Sequence, residues 1–186
     1  MKLSANWIRD FVELKVDDHR LAEDLTSIGI AAEGISGSGE KAVFDMEIGT
    51  NRPDAMNHYG VAREASAFYD VPLRPIRPML PMPKEAAAFP IEIQEPDLCP
   101  RFSARVIRGT TVKASPAKII DRLALLDQRP ISNAVDATNY VLWEIGKPTH
   151  VFDLDLLEGG EIIVRRAKEG EALKTLDGVE RKLTSE

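Results

Sequence analysis

The residues best equipped for chemistry lie between Arg129 and Asp153, above all in the run VDATNYVLWEIGKPTHVFD from Val135 onward. Asp136 can cap a helix over residues 137–145 that ends at Gly146. Thr138 and Asn139 then fall in its first turn, where free backbone N–H groups favour a carboxylate, a phosphate or an ester oxygen. Arg129 lies upstream and can reach a phosphate or carboxyl group. Lys147-Pro148 stops the helix, and His150 follows in a short strand. An imidazole titrates near neutrality, so it can hold or deprotonate a water. The same residues also fit a plain amphipathic helix. Thr and Asn are favoured near helix starts for local hydrogen bonding, and a histidine beside Val151 and Phe152 fits a core. Asn139 and Ile145 stand roughly 10 Å apart along a straight helix. His150 therefore joins Thr138 only if the Gly-Lys-Pro turn sends the chain back along it.

A second polar cluster is NRPDAMNHYGVARE. Asn51, Arg52 and Asp54 could contact a ligand. The favoured reading is a turn in which Asp54 or Asn57 caps the next helix and Arg52 pairs locally. His19 and His58 are placed on charged, solvated helix faces. GISGSGE has spaced glycines but no helix after it, so it is not a phosphate loop. There is no zinc-like Cys/His spacing and no nucleophile elbow.

The elements that must carry these residues are legible by period and punctuation. Ser4 can cap a helix over ANWIRDFV. Asp17 or Asp18 can cap a second, with Leu21, Leu25 and Ile28 on one face and Gly29 after its end. IAAEGI and AVFDMEIG read as strands, the latter alternating Val43, Asp45 and Glu47 against Phe44, Met46 and Ile48. A third helix runs from about Ala55 to Tyr69. Gly60 inside it suggests a close backbone contact. PLRPIRPMLPMP is a stiff connector, because proline fixes φ and removes donors. Strands FPIEIQ and RFSARVIRG follow, then a helix AKIIDRLALLD with Ser115 at its N-cap and Pro116 at N1. EIIVRRAKEG is a strand, and EALKTL-DG-VERKL has the Asp-Gly mark of a hairpin. The predicted fold is α+β. A small helical/β module spans residues 1–71, a Pro-rich linker 72–88, and a mixed α/β domain 89–186. The last hairpin strand has an unpaired edge, so this second domain is expected to be incomplete.

The chain has 186 residues, a net charge of −6 and a single cysteine, Cys99. No internal disulfide is possible, which fits a reducing compartment. No apolar run has membrane-spanning length, and Arg9 with Asp10 interrupts any signal-peptide h-region. Neither half is basic, unlike a module that holds nucleic acid by phosphate neutralisation alone.

MKLSANWIRDFV, TNRPD…GVARE, CPRFSARVIRG, VDATNYVLWEIGKPTHVFD and RRAKEGEALKTLDGVERKL occur in this order over nearly the whole chain. In these segments the chain resembles the N-terminal part of the bacterial phenylalanine–tRNA ligase beta subunit. The resemblance implies a cytoplasmic (αβ)2 enzyme, with no membrane association, that joins phenylalanine to tRNA(Phe). ATP and magnesium would serve the alpha subunit, with no cofactor or metal in this chain. It implies that residues 89–186 are the first half of a tRNA-editing domain that hydrolyses mischarged Tyr-tRNA(Phe). His150, Thr138 and Asn139 would be its catalytic residues and Arg129 would bind substrate. Thr149 stands where the family has methionine, which leaves the histidine's place intact. Only ISGSGEKAV occupies the point where the family inserts an OB-fold tRNA-binding domain. The resemblance also implies that the editing domain continues past Glu186, where a glycine-rich segment and a glutamate would complete the pocket. The alternative function is a non-catalytic scaffold or RNA-binding segment that docks on the alpha subunit without editing.

Overall fold

A computed structural model describes residues 1–79, 82, 89–175 and 178–185. The chain falls into two compact units, residues 1–80 with 111–151, and residues 81–110 with 152–186.

The first unit is built on a three-stranded antiparallel sheet of order β1-β3-β2, with β1 at Lys2–Ser4, β2 at Ala31–Ser36 and β3 at Val43–Glu47. In β3, Phe44 and Met46 are buried while Asp45 and Glu47 are exposed, as a half-buried strand requires. Val43 departs from the expected alternation and is buried too. Strand β1 carries no alternating pattern of its own, and its pairing with β3 forms it.

Helix α1 spans Ala5–Arg9 and starts where Ser4 Oγ accepts the Trp7 N–H at 3.3 Å. Helix α2 spans Asp18–Ser27, with Asp17 accepting the Arg20 N–H at 2.8 Å. Gly29 follows at φ +87°, a left-handed position that favours glycine. Helix α3 spans His58–Tyr69, three residues later than expected, because Asn57 is its cap and accepts the Gly60 N–H at 2.7 Å. Residues 53–55 form a separate 3₁₀ turn. A Cβ on Gly60 would stand 2.0 Å from the Asp54 carbonyl oxygen, which is the close contact its position suggested. Leu3, Ile8, Leu21, Leu25, Phe44 and Val61 fill the core between sheet and helices. Each such side chain contributes about 1.5–3 kcal/mol by leaving water.

Helices α4, Ala117–Leu125, and α5, Asn133–Ile145, complete this unit. That grouping differs from the expected division at residues 72–88, which put both helices in a second domain. The reason is non-local: Trp7 of α1 meets Tyr140 of α5, and Arg122 of α4 bonds Asp10 after α1. Within the expected connector, Leu73 bridges Val12, and the Arg74 N–H donates to the Phe11 carbonyl at 2.7 Å. Residues 80, 81 and 83–88 of that connector lie outside the described residues.

In the second unit, β4 at Ile91–Ile93 pairs in parallel with β5 at Ile162–Val164, and β6 at Ala172–Lys174 pairs antiparallel with β7 at Glu180–Lys182. The hairpin thus forms where Asp-Gly predicts it, with Gly178 at φ +81° and Asp177 outside the described residues. RFSARVIRG forms no strand: residues 101–109 have no ladder partner, and Ile107 is left 74% exposed. A β-prone run needs a neighbouring strand to satisfy its backbone.

Candidate functional site

Helix α5 starts four residues earlier than its predicted first residue. Ser132 is the cap, its Oγ accepting the Val135 N–H at 3.4 Å. Asp136 therefore does not cap the helix. Its carboxylate is buried and accepts the Ser115 hydroxyl at 2.6 Å and the Ile131 N–H at 2.7 Å. Ser115 is consumed by this bond and makes no cap for α4, where Pro116 occupies the N-cap position.

This shift moves Thr138 and Asn139 beyond the first turn, away from the N–H groups that lack helical partners. Thr138 Oγ1 donates to the Val135 carbonyl at 2.6 Å. Asn139 is half-buried one residue further on. Arg129 is exposed in the connection between α4 and α5. His150 is exposed four residues past Gly146, in irregular chain rather than the predicted strand. The structure therefore brings Thr138 and Asn139 onto one turn. It shows no hydrogen bond linking Arg129, Thr138 and Asn139 among the described residues.

A cluster that sequence reasoning missed lies at the C-terminal half of α5. His58 is fully buried, not solvated. The Ser4 N–H donates to its Nε2 at 2.9 Å, so Nδ1 carries the proton and donates to the Trp143 carbonyl at 2.6 Å. Trp7 stacks on the His58 ring at a centroid distance of 4.1 Å and leans on Tyr140 at 4.5 Å. The Arg122 guanidinium lies 4.9 Å from the Trp7 ring centroid and donates to the Tyr140 hydroxyl at 2.7 Å. Burial pushes the His58 pKa down to about 3 despite the Trp143 carbonyl. The signal was present in the spacing. His58, Val61, Ala62 and Ala65 recur at i, i+3, i+4 and i+7, so the histidine shares the apolar stripe.

The polar residues of TNRPD form a local ion network. Arg52 pairs with Asp54 at 3.0 Å and with Glu64 at 2.9 Å, and Arg63 also reaches Asp54. The hydrogen bond from Arg52 holds the Asp54 carboxyl below its ordinary range. These bonds serve the turn itself. Among the described residues, no group of three or more His, Cys, Asp and Glu side chains could hold a metal ion.

Residues 98–186 match the B3/4 domain family, a stretch that includes Arg129, Thr138, Asn139 and His150. Fold and match together define an α+β chain that carries B3/4 sequence. A phenylalanine–tRNA ligase beta subunit from Nitratidesulfovibrio vulgaris is 47% identical over 150 residues, covering 78% of this chain and 18% of that one. The Carboxydothermus hydrogenoformans beta subunit is 46% identical over 144 residues, with 77% and 18% covered. That of Thermotoga maritima is 42% identical over 160 residues, with 86% and 20% covered. Over the matched residues the chain belongs to the phenylalanine–tRNA ligase beta subunit family. It spans about a fifth of the length of these relatives.

Proposed function

We propose that this chain is part of a phenylalanine–tRNA ligase beta subunit and serves the charging of tRNA(Phe) together with an alpha subunit. The supporting observation is the identity of 42–47% to beta subunits over most of the chain. The assembly is a cytoplasmic (αβ)2 tetramer. In that assembly ATP and magnesium serve the aminoacylation carried out by the alpha subunit, as the likeness to phenylalanine–tRNA ligase beta subunits implies.

Within that assembly, residues 98–186 contribute to hydrolysis of mischarged Tyr-tRNA(Phe), and the B3/4 match supports this reading. His150 takes a proton from a water whose oxygen attacks the aminoacyl ester carbonyl. The carbon–oxygen bond to the ribose breaks, and the proton passes to the ribose oxygen as free tyrosine leaves. Thr138 and Asn139 position the water or ester oxygens, and Arg129 contacts the tRNA end. Discrimination against phenylalanine comes from polar groups that only the tyrosine hydroxyl satisfies. The test is deacylation of Tyr-tRNA(Phe) by the complete subunit with its alpha partner. His150→Ala should lower the rate about a hundredfold, within the range for loss of a general base. An unchanged rate would remove His150 from the site.

One observation favours a second reading. The Thr138 hydroxyl already donates to the Val135 carbonyl, as it would in a non-catalytic scaffold that docks on the alpha subunit. That reading expects Tyr-tRNA(Phe) to persist with the wild-type assembly.

A further inference from the structure

The last turn of a helix leaves carbonyls without helical partners, and what satisfies them fixes where the chain goes next. At the end of α5 the partners come from the start of α3. The Trp143 carbonyl receives the His58 Nδ1–H at 2.6 Å. The His58 ring cannot turn away, because the Ser4 N–H holds Nε2 at 2.9 Å and Trp7 stacks on its face. One residue earlier, Asn57 lies against the Gly146 corner. Gly146 is left-handed at φ +71°, and a Cβ built on it would stand 2.7 Å from Asn57 Nδ2. Asn57 is itself held at both ends: its Oδ1 accepts the Gly60 N–H at 2.7 Å, and its Nδ2 donates to the Asp54 carbonyl at 3.0 Å.

We infer that Asn57 and His58 are positioning residues for His150, clamping the α5 exit from which residues 147–150 leave. The inference rests on the proposed role of His150. The path from the clamp is short and stiff. Pro148 has a fixed φ, and Lys147, as the residue before it, is restricted as well. A change of angle at Gly146 therefore has few free dihedrals in which to be absorbed before it reaches His150. Misplacing a reacting group by about 1 Å costs on the order of a hundredfold in rate.

The experiment uses the complete beta subunit assembled with its alpha partner and measures kcat and KM for Tyr-tRNA(Phe) deacylation. His58→Gln keeps an amide near the Ser4 N–H but loses the donor to Trp143. His58→Asn restores an amide N–H near the place of Nδ1. Gly146→Asn tolerates the left-handed corner but pushes a Cβ into Asn57. His58→Gln and Gly146→Asn should each lower kcat about tenfold or more with KM changed less than about threefold. His58→Asn should recover about half of the wild-type kcat. The inference is overturned if Gly146→Asn keeps wild-type kcat, or if His58→Asn falls as far as His58→Gln. Should His58→Gln fail to fold, Gly146→Asn alone decides. His150→Ala is run alongside. If it lowers deacylation while the clamp variants do not, only the clamp fails. If it changes nothing, the reading of His150 itself fails.

Discussion

The Ser115 hydroxyl donates to the buried Asp136 carboxylate at 2.6 Å, and this bond ties the entry of α4 to the first turn of α5. A carboxylate there is also favoured by the positive end of the helix dipole. Asp136→Ala would leave the Ser115 hydroxyl and the Ile131 N–H without their acceptor in a buried place. The expected loss is about 2–4 kcal/mol in urea unfolding, and about 1–2 kcal/mol for Ser115→Ala. Equal midpoints for Asp136→Ala and wild type would show that neighbouring groups or water replace the carboxylate.

His58 makes stability depend on pH. Burial holds its folded pKa near 3, against an ordinary 6.5, so the unfolded chain takes up the proton first as pH falls. The stabilisation is complete above pH 6.5 and is lost progressively between 6.5 and about 3. The slope is about 1.4 kcal/mol per pH unit. Urea midpoints measured near neutrality and again about two pH units lower would show the loss. His58→Gln should flatten that part of the profile; an unchanged slope in the variant would assign it to other groups.

Gly60→Ala tests the closeness of the turn to α3. Alanine is the better helix former, by about 1 kcal/mol. Its Cβ would nevertheless meet the Asp54 carbonyl oxygen at 2.0 Å, a backbone atom that cannot swing aside. The substitution should destabilise by about 1–3 kcal/mol, as overpacking does. A rise in melting temperature would mean that residues 53–55 move without cost.

Arg129 is exposed in the connection between α4 and α5. If it contacts the tRNA end, Arg129→Ala should raise KM for Tyr-tRNA(Phe) with little change in kcat. It should also weaken the salt dependence of binding by about one phosphate contact. A fall in kcat at unchanged KM would place Arg129 at the reacting centre instead.

Much of the first unit was legible locally. Ser4, Asp17 and Asn57 each sit where a cap belongs, and in each case the side chain accepts the expected N–H. These signals act over three or four residues, so a sequence carries them whole. The local pairing of Arg52 within TNRPD and the reason for Gly60 were likewise readable. At the candidate site, the sequence put Thr138 and Asn139 on one helix and broke that helix at Gly146. It misjudged the helix start because Asp136 and Ser132 are both good caps, and the choice turned on Ser115, which lies 21 residues before Asp136 in the chain.

What the sequence by itself determined is therefore the five α-helices among the described residues, several of their caps, most of the strands and, through the ordered segments, the family. Only the tertiary structure decided which elements share a core. Helices α4 and α5 join the N-terminal unit because Trp7 lies against His58 and Tyr140, and because Arg122 reaches Asp10. The burial of His58 belongs to the same class of fact. Its stripe position was visible in the spacing, but its two hydrogen bonds go to Ser4 and Trp143, 54 and 85 residues away in the chain. Contacts at such separations leave no local pattern, since each partner reads as an ordinary residue until packing brings the two together.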